Sequence, residues 1–153
     1  MEFDQLEQKI REQEDMLYRI SLSILKNKED AKDAVHDAIL ISYEKIGTLK
    51  NEEAFSSWLC RILVRCCYQT LRERKRFVDT GDSFPDVKSC DNPCQSVEIN
   101  EMLSSLPEKI RIVFLLYYVE GYSIREIHRI LRIPEGTVKS RLNTGRKLLE
   151  DWK

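Results

Sequence analysis

The stretch Tyr122–Trp152, YSIREIHRILRIPEGTVKSRLNTGRKLLEDW, leaves the chain little choice of local fold. Ser123-Ile124-Arg125-Glu126 has the S-x-x-E pattern of a capping box, so Ser123 is the expected N-cap of a short helix. Ile124, Ile127 and Leu131 follow at helical spacing and share one face. Arg132-Ile133-Pro134 stops that helix, because proline lacks an amide proton and biases Ile133 away from helical angles. A second helix is expected from about Glu135 to Leu149, with Val138, Leu142, Gly145 and Leu149 turned inward. At about 100° per residue, Gly136, Lys139, Ser140, Asn143 and Lys147 fall on the opposite side. The pattern is a helix-turn-helix. Its outward face is cationic and short-chained near the second helix's start, where a recognition helix presents compact donors to the major groove and Lys or Arg to phosphates.

The 153 residues suit one domain or two small ones, and 5 Gly and 4 Pro predict long helices with few tight turns. Net charge is −1, which by itself argues against a free-standing, strongly basic nucleic-acid binder. The charge is unevenly spread. Residues 80–100 hold four acidic residues against one lysine, whereas residues 101–153 hold ten Lys/Arg against seven Asp/Glu. The longest apolar run, Ile112–Val119, is far below the roughly 18–20 residues of a membrane span. The acidic start MEFDQLEQKI lacks a signal-peptide pattern, so a cytoplasmic protein is expected. Cys60, Cys66 and Cys67 lie in an apolar helical pattern, where thiols act as small core residues. Cys90-x-x-x-Cys94 lies between the domains. Two thiols without a nearby histidine fall short of the four ligands of structural zinc, so no metal or other cofactor is expected.

The first helix is expected from Phe3 or Asp4 to Leu25, packing Ile10, Leu17, Ser21, Ile24 and Leu25. Asn27 and Lys28 interrupt it. A second helix begins near Asp30 and runs to about Ile46, with Val35, Ala38, Ile39, Ser42 and Ile46 inward and Gly47 as the C′ residue. After the polar loop Thr48–Glu53, a third helix runs to about Arg76, burying Trp58, Leu59, Ile62, Leu63, Cys66 and Thr70. Residues 77–97 read as a linker rich in turn signals. The next helix carries Val97, Met102, Leu103 and Leu106 and stops before Pro107. Pro107 then suits N1 of a helix with Ile110, Val113, Phe114 and Tyr117 on one side and Gly121 at its end.

EGTVKSRLNTGRKLL resembles the recognition helix of bacterial sigma factors, in particular the small extracytoplasmic-function (ECF) group. LSSLPEKIRIVFLLYYVEGYS resembles the opening of that family's −35-reading domain. LKNKEDAKDAVHDAILISYEKI and FSSWLCRILVRCCYQTLRERKR resemble its core-binding domain: an acidic helix, then an F-x-x-W-L-x-R-I helix with a basic end. The resemblance implies that the acidic helix meets a clamp helix of RNA polymerase through Asp33, His36, Asp37 and Leu40. It implies contact with the melted −10 strand through Lys50, Asn51, Phe55, Ser56, Trp58, Arg61 and Arg65. Aromatic faces and cations beside a polar loop suit unpaired bases and their phosphates. The −35 reader would use Thr137, Lys139, Ser140, Arg141, Asn143, Arg146 and Lys147, with Lys139, Ser140 and Asn143 near base edges and the arginines and Lys147 nearer phosphates. Four positions depart from the family: His36 for its glutamine, Ile39 for its phenylalanine, His128 for a small alanine, and Arg132 for a frequent glycine. The imidazole of His128 must turn outward or widen the gap between the two helices, and a left-handed Arg132 would cost about 1 kcal/mol.

The expectation is an all-α protein: residues 1–77 for core polymerase and the −10 element, a flexible acidic linker over 78–97, and a helix-turn-helix domain over 98–153 for the −35 element. No Gly-rich phosphate loop or nucleophile constellation points to catalysis. The implied partners are core RNA polymerase, promoter DNA and an anti-sigma factor, with no membrane insertion and a monomer when free. Two other readings stay open. One is a helix-turn-helix regulator acting without polymerase, which predicts a dimer on a palindromic site. The other is a thiol-based redox or metal module on Cys90 and Cys94.

Overall fold

A computed structural model describes residues 2–79 and 97–150 of the chain. The chain divides into two units, Met1–Cys90 and Asp91–Lys153. The described residues contain helices and turns and no strand. The linker with Cys90 and Cys94, and Trp152, lie outside the described residues.

The N-terminal unit packs three helices against one another: α1 (Phe3–Leu25), α2 (Lys28–Lys45) and α3 (Phe55–Asp79). Helix α1 begins with a capping box of Glu2 and Gln5 and ends at Lys26, which is left-handed (φ 55°) and donates its N–H to the Leu22 carbonyl at 2.8 Å. Asn27 then caps α2 by accepting from the Asp30 amide at 3.0 Å. Two residues thus turn the chain back on itself. Arg74 of α3 fastens this corner, donating through Nη1 to the Leu25 carbonyl at 2.9 Å and pairing with the Asp30 carboxylate. The carbonyl at the end of α1 is therefore satisfied by a cation, the sign its dipole favours.

The expected packed face of α1 is buried throughout. The other two faces are rotated from expectation. On α2 the buried residues are Ala31, Ala34, Ala38 and Ser42, while Val35, Ile39 and Ile46 are only half-buried. A helix touching two neighbours places its small residues where the backbones approach, and its larger aliphatics fill the flanks. On α3 the buried residues are Phe55, Leu59, Cys60, Leu63, Val64 and Cys67, leaving Trp58, Ile62, Cys66 and Thr70 half-buried. Helix α3 also runs to Asp79, three residues past the expected end. Gly47 does not adopt the left-handed C′ conformation. Instead α2 tightens into a 3-10 turn at Ile46–Thr48. The loop holds a second such turn at Glu52–Ala54.

One buried joint ties all three helices. Ser21 of α1 donates to the Ala31 carbonyl of α2 at 3.0 Å and faces the Cys67 sulfur of α3 at 3.7 Å. Burial pushes the Cys67 thiol up to about 12 and, with the nearby charge of Asp37, raises Cys66 as well. A thiol held neutral in the fold stabilises below its unfolded pKa and loses that contribution as pH rises through the folded one. The N-terminal unit is therefore expected to lose stability above about pH 9. Alkylation of the native protein at pH 7.5 is expected to label Cys66 slowly and to spare Cys60 and Cys67, as peptide mass mapping would check.

The C-terminal unit holds α4 (Val97–Ser104), α5 (Glu108–Phe114), α6 (Ile124–Leu131) and α7 (Glu135–Glu150). Pro107 is the N-cap of α5 and not its N1, and its carbonyl accepts from the amides of Ile110 and Arg111. Helix α5 does not run on uniformly to Gly121. It widens into a π turn at Leu115–Val119, with the Glu120 amide bonded to the Leu115 carbonyl at 3.0 Å. Gly121 then takes φ +79° and lets Tyr122 donate back to the Leu116 carbonyl at 2.9 Å, a Schellman-type stop. The core comprises Leu103, Leu106, Ile112–Leu116, Ile127, Ile130, Val138 and Leu142.

Candidate nucleic-acid interface

Helices α6 and α7 form the expected helix-turn-helix. The Glu126 amide donates to Ser123 Oγ at 3.1 Å and the Ser123 amide to Glu126 Oε1 at 3.0 Å, closing the capping box. Ile127 and Ile130 are buried, while Ile124 and Leu131 sit at the margins. Arg132 is left-handed (φ 57°, ψ 44°), a conformation that favours glycine. His128 has turned outward, and its Nδ1 lies 2.6 Å from the Ile133 carbonyl. A carbonyl oxygen only accepts, so Nδ1 carries the proton in this contact. The imidazole thereby binds the last turns of α6 to the turn segment. The Pro134 carbonyl then receives the amides of Thr137 and Val138 and starts α7.

On α7 the inward face is Val138, Leu142 and Gly145, with Leu149 half-buried. Gly136, Lys139, Ser140, Asn143, Arg146 and Lys147 are exposed, and Thr137 and Arg141 are half-buried on the flanks. Lys139, Asn143 and Arg146 line a shallow groove of about 250 Å³ with Ile124 and Leu142. Arg146 is held in place: its Nη1 donates to Asn143 Oδ1 at 2.8 Å and its Nε to the Tyr118 hydroxyl at 2.8 Å. Tyr118 was not among the residues expected here. The aromatic pair Tyr117-Tyr118 just before the Gly121 stop was the available signal, but helical projection cannot anticipate a π turn.

In the N-terminal unit, Asp33, His36, Asp37 and Leu40 recur at i, i+3, i+4 and i+7 on α2 and are all exposed, Leu40 by 60%. The second group surrounds the 46–54 loop. Lys50 and Asn51 are exposed, and Asn51 Oδ1 accepts from the Glu53 amide at 3.0 Å. Trp58 is half-buried, its Nε1 donating to Thr48 Oγ1 at 3.3 Å. Ser56 donates to Gln13 Oε1 at 3.1 Å, Arg61 is half-buried and Arg65 is exposed. Phe55 departs from expectation. It is buried, with Lys9 Nζ 5.6 Å from its ring centre and the Trp58 ring 5.8 Å away. As the first residue of α3 it anchors that helix.

Comparison with known proteins follows the same division. The family model described as Sigma-70 region 2 matches residues 10–77, and that described as Sigma-70, region 4 matches residues 96–149. The ECF RNA polymerase sigma factor SigM of Mycobacterium tuberculosis is 33% identical over 149 residues, covering 96% of this chain and 74% of the relative. The chain belongs to the ECF sigma factors. RNA polymerase sigma factor SigV of Bacillus subtilis is 30% identical over 134 residues, covering 86% of this chain and 81% of SigV. Among solved structures, the sigma factor RpoE of Bartonella quintana, crystallised with the anti-sigma factor NepR, superposes with a TM-score of 0.80 at 22% identity. That alignment covers 96% of this chain and 98% of RpoE. CnrH, solved with the cytosolic domain of CnrY, gives 0.68 at 18% identity, covering 95% and 84%.

In this sigma factor the ridge of α2 and the loop-α3 surface lie within the matched region 2, and the helix-turn-helix lies within the matched region 4. A sigma factor is an initiation factor and not an enzyme. Among the described residues there is no group of three or more His, Cys, Asp and Glu able to hold a metal, and no helix long and apolar enough to cross a membrane.

Proposed function

We infer that this ECF sigma factor binds core RNA polymerase through the α2 ridge and directs initiation at promoters read in two places. The observation that carries the reading is the exposed row Lys139, Ser140 and Asn143 on the first turns of a helix whose inward face is locked into a helix-turn-helix. Short polar side chains near the start of such a helix reach base edges in the major groove of the −35 element. Arg146 and Lys147 lie further along and suit phosphates, as does Arg141 on the flank, and Thr137 borders the entry. At the melted −10 element, the half-buried Trp58 offers a stacking face, and Lys50, Asn51, Ser56, Arg61 and Arg65 supply polar and cationic contacts around it.

Neither reader is strong alone. A net charge of −1 gives little non-specific attraction to DNA, so free protein binds promoters weakly. Polymerase fixes the two readers at promoter spacing and makes the second contact intramolecular. The protein therefore works as a dissociable, monomeric cytoplasmic subunit. The two solved structural neighbours were determined with the anti-sigma factor NepR or the cytosolic domain of CnrY, which supports an anti-sigma partner for this chain too.

Run-off transcription with sigma-free core polymerase on genomic promoter fragments tests the reading. Specific transcripts are expected only with both components. Lys139→Ala with Ser140→Ala is expected to lower their yield at limiting protein by more than about tenfold, since each base-edge pair discriminates by roughly 1–3 kcal/mol. Tight operator-like binding of DNA by a dimer of the protein alone, without transcripts, would instead favour a polymerase-independent regulator.

A further inference from the structure

The π turn at Leu115–Val119 has a consequence for DNA binding that the helix-turn-helix motif does not contain. It brings Tyr118 beside α7, where its ring is 53% exposed and braced by Phe114 at 5.0 Å and Tyr117 at 4.9 Å. The Tyr118 hydroxyl accepts from Arg146 Nε at 2.8 Å, and the guanidinium carbon lies 5.8 Å from the ring centre. The other side of the fork is taken by Asn143 Oδ1 at 2.8 Å. A long exposed arginine is thus fixed at two points before any ligand arrives.

We infer that Tyr118 and Arg146 form a preorganised clamp for one DNA phosphate at the C-terminal end of the reading face, with Tyr118 as a specific phosphate-binding and positioning residue. The donors match. With Nε and one Nη1 proton engaged, Nη2 still has two protons to give. The Tyr118 hydroxyl accepts from a cation and keeps its own proton, and accepting such a bond makes it a better donor. Two donors from a neutral phenol and a planar cation suit adjacent oxygens of a phosphodiester. The location matches too. Lys139, Asn143 and Arg146 follow one another at i, i+4 and i+7, so when the first turns of α7 meet base edges the Arg146 end passes over the backbone. Fixing the fork in advance removes rotamer entropy that an unrestrained arginine would lose on binding. The inference rests on the −35 reading proposed above.

The test uses the full chain with core polymerase on a promoter duplex, measuring affinity across a salt series. Tyr118→Phe is expected to weaken the complex about three- to tenfold, to the same degree on matched and mutated −35 sequences, with unchanged hydrogen exchange in α5 and α7. Arg146→Ala is expected to lower the salt slope by about one, and Tyr118→Phe in that background to add little. Arg146→Lys, which keeps the charge and loses the fork, is expected to fall with Tyr118→Phe. Wild-type affinity in Tyr118→Phe, full additivity with Arg146→Ala, or full activity of Arg146→Lys would each overturn the clamp while leaving the −35 reading intact. A wild type that forms no promoter complex with core polymerase would overturn that reading, and the clamp with it.

Discussion

Gly145→Ala is expected to destabilise the C-terminal unit despite alanine's better helix propensity. A Cβ at Gly145 would stand 2.0 Å from Phe114 Cε2 and 2.8 Å from Cδ2 and Cζ. Those atoms belong to a rigid ring that is 4% exposed, so no flexible tip is free to swing aside. Either the ring leaves its place or α7 moves away from α5. Overpacking of this kind costs about 1–3 kcal/mol, sometimes more, against a gain of about 1 kcal/mol from replacing glycine within a helix. A unit this small holds only about 3–8 kcal/mol in all. The net loss of up to about 2 kcal/mol should accelerate hydrogen exchange of the α5 and α7 amides by up to about thirtyfold, with α1–α3 unchanged as an internal control. Phe114→Leu in the same chain should restore part of the loss, because it vacates the space the methyl needs. A Gly145→Ala protein at least as protected as the wild type would refute the account. Phe114 also braces Tyr118, so promoter affinity should fall in the single variant before the unit unfolds.

The same region marks where the sequence was informative and where it was not. The capping box, the proline break and the inward set Val138, Leu142 and Gly145 were legible because each depends on local chemistry or on one helix's own period. On α2 and α3 the buried arc is rotated from the one that the largest aliphatics mark. A sequence pattern favours bulk, whereas the packing put Ala31, Ala34 and Ala38 at the closest approach. The π turn was invisible because it follows from packing within the domain, and Tyr118 with it. Phe55 starts α3 and is buried, which its place in the motif does not reveal. Motif identity fixes which residues gather around a site and leaves open which of them face outward.

His128 and Arg132 illustrate a compensation of that kind. Each departs from the family's usual small residue, and each alone would strain or widen the turn. In the structure the left-handed Arg132 directs the chain so that the Ile133 carbonyl meets the His128 imidazole at 2.6 Å. The larger residue at one position supplies a hydrogen bond across the strained residue at the other. The two larger residues thus hold the turn between α6 and α7 together.

The second large effect is expected at the opposite end of the chain, from Leu40→Asp. A leucine 60% exposed in mid-helix serves no purpose in the free protein's core, yet it continues a row with Asp33, His36 and Asp37. On the proposed reading it is the one apolar member of the polymerase-facing ridge, ringed by groups that set orientation and stay near water. Burying such a side chain against a partner contributes about 1.5–3 kcal/mol. Putting a carboxylate in its place adds a desolvation cost on top of that loss. Affinity for core polymerase should therefore drop by about 10- to 100-fold or more. Melting of the free protein should barely change, since exposed substitutions usually move stability by less than about 0.5 kcal/mol. Leu148, exposed by 51% on α7, gives a matched control: Leu148→Asp should leave core binding intact. Competition against a labelled sigma factor for limiting core enzyme measures both. If Leu40→Asp and Leu148→Asp compete equally with the wild type, the α2 ridge is not the docking surface. A drop confined to Leu40 would mean that its exposure serves the polymerase contact.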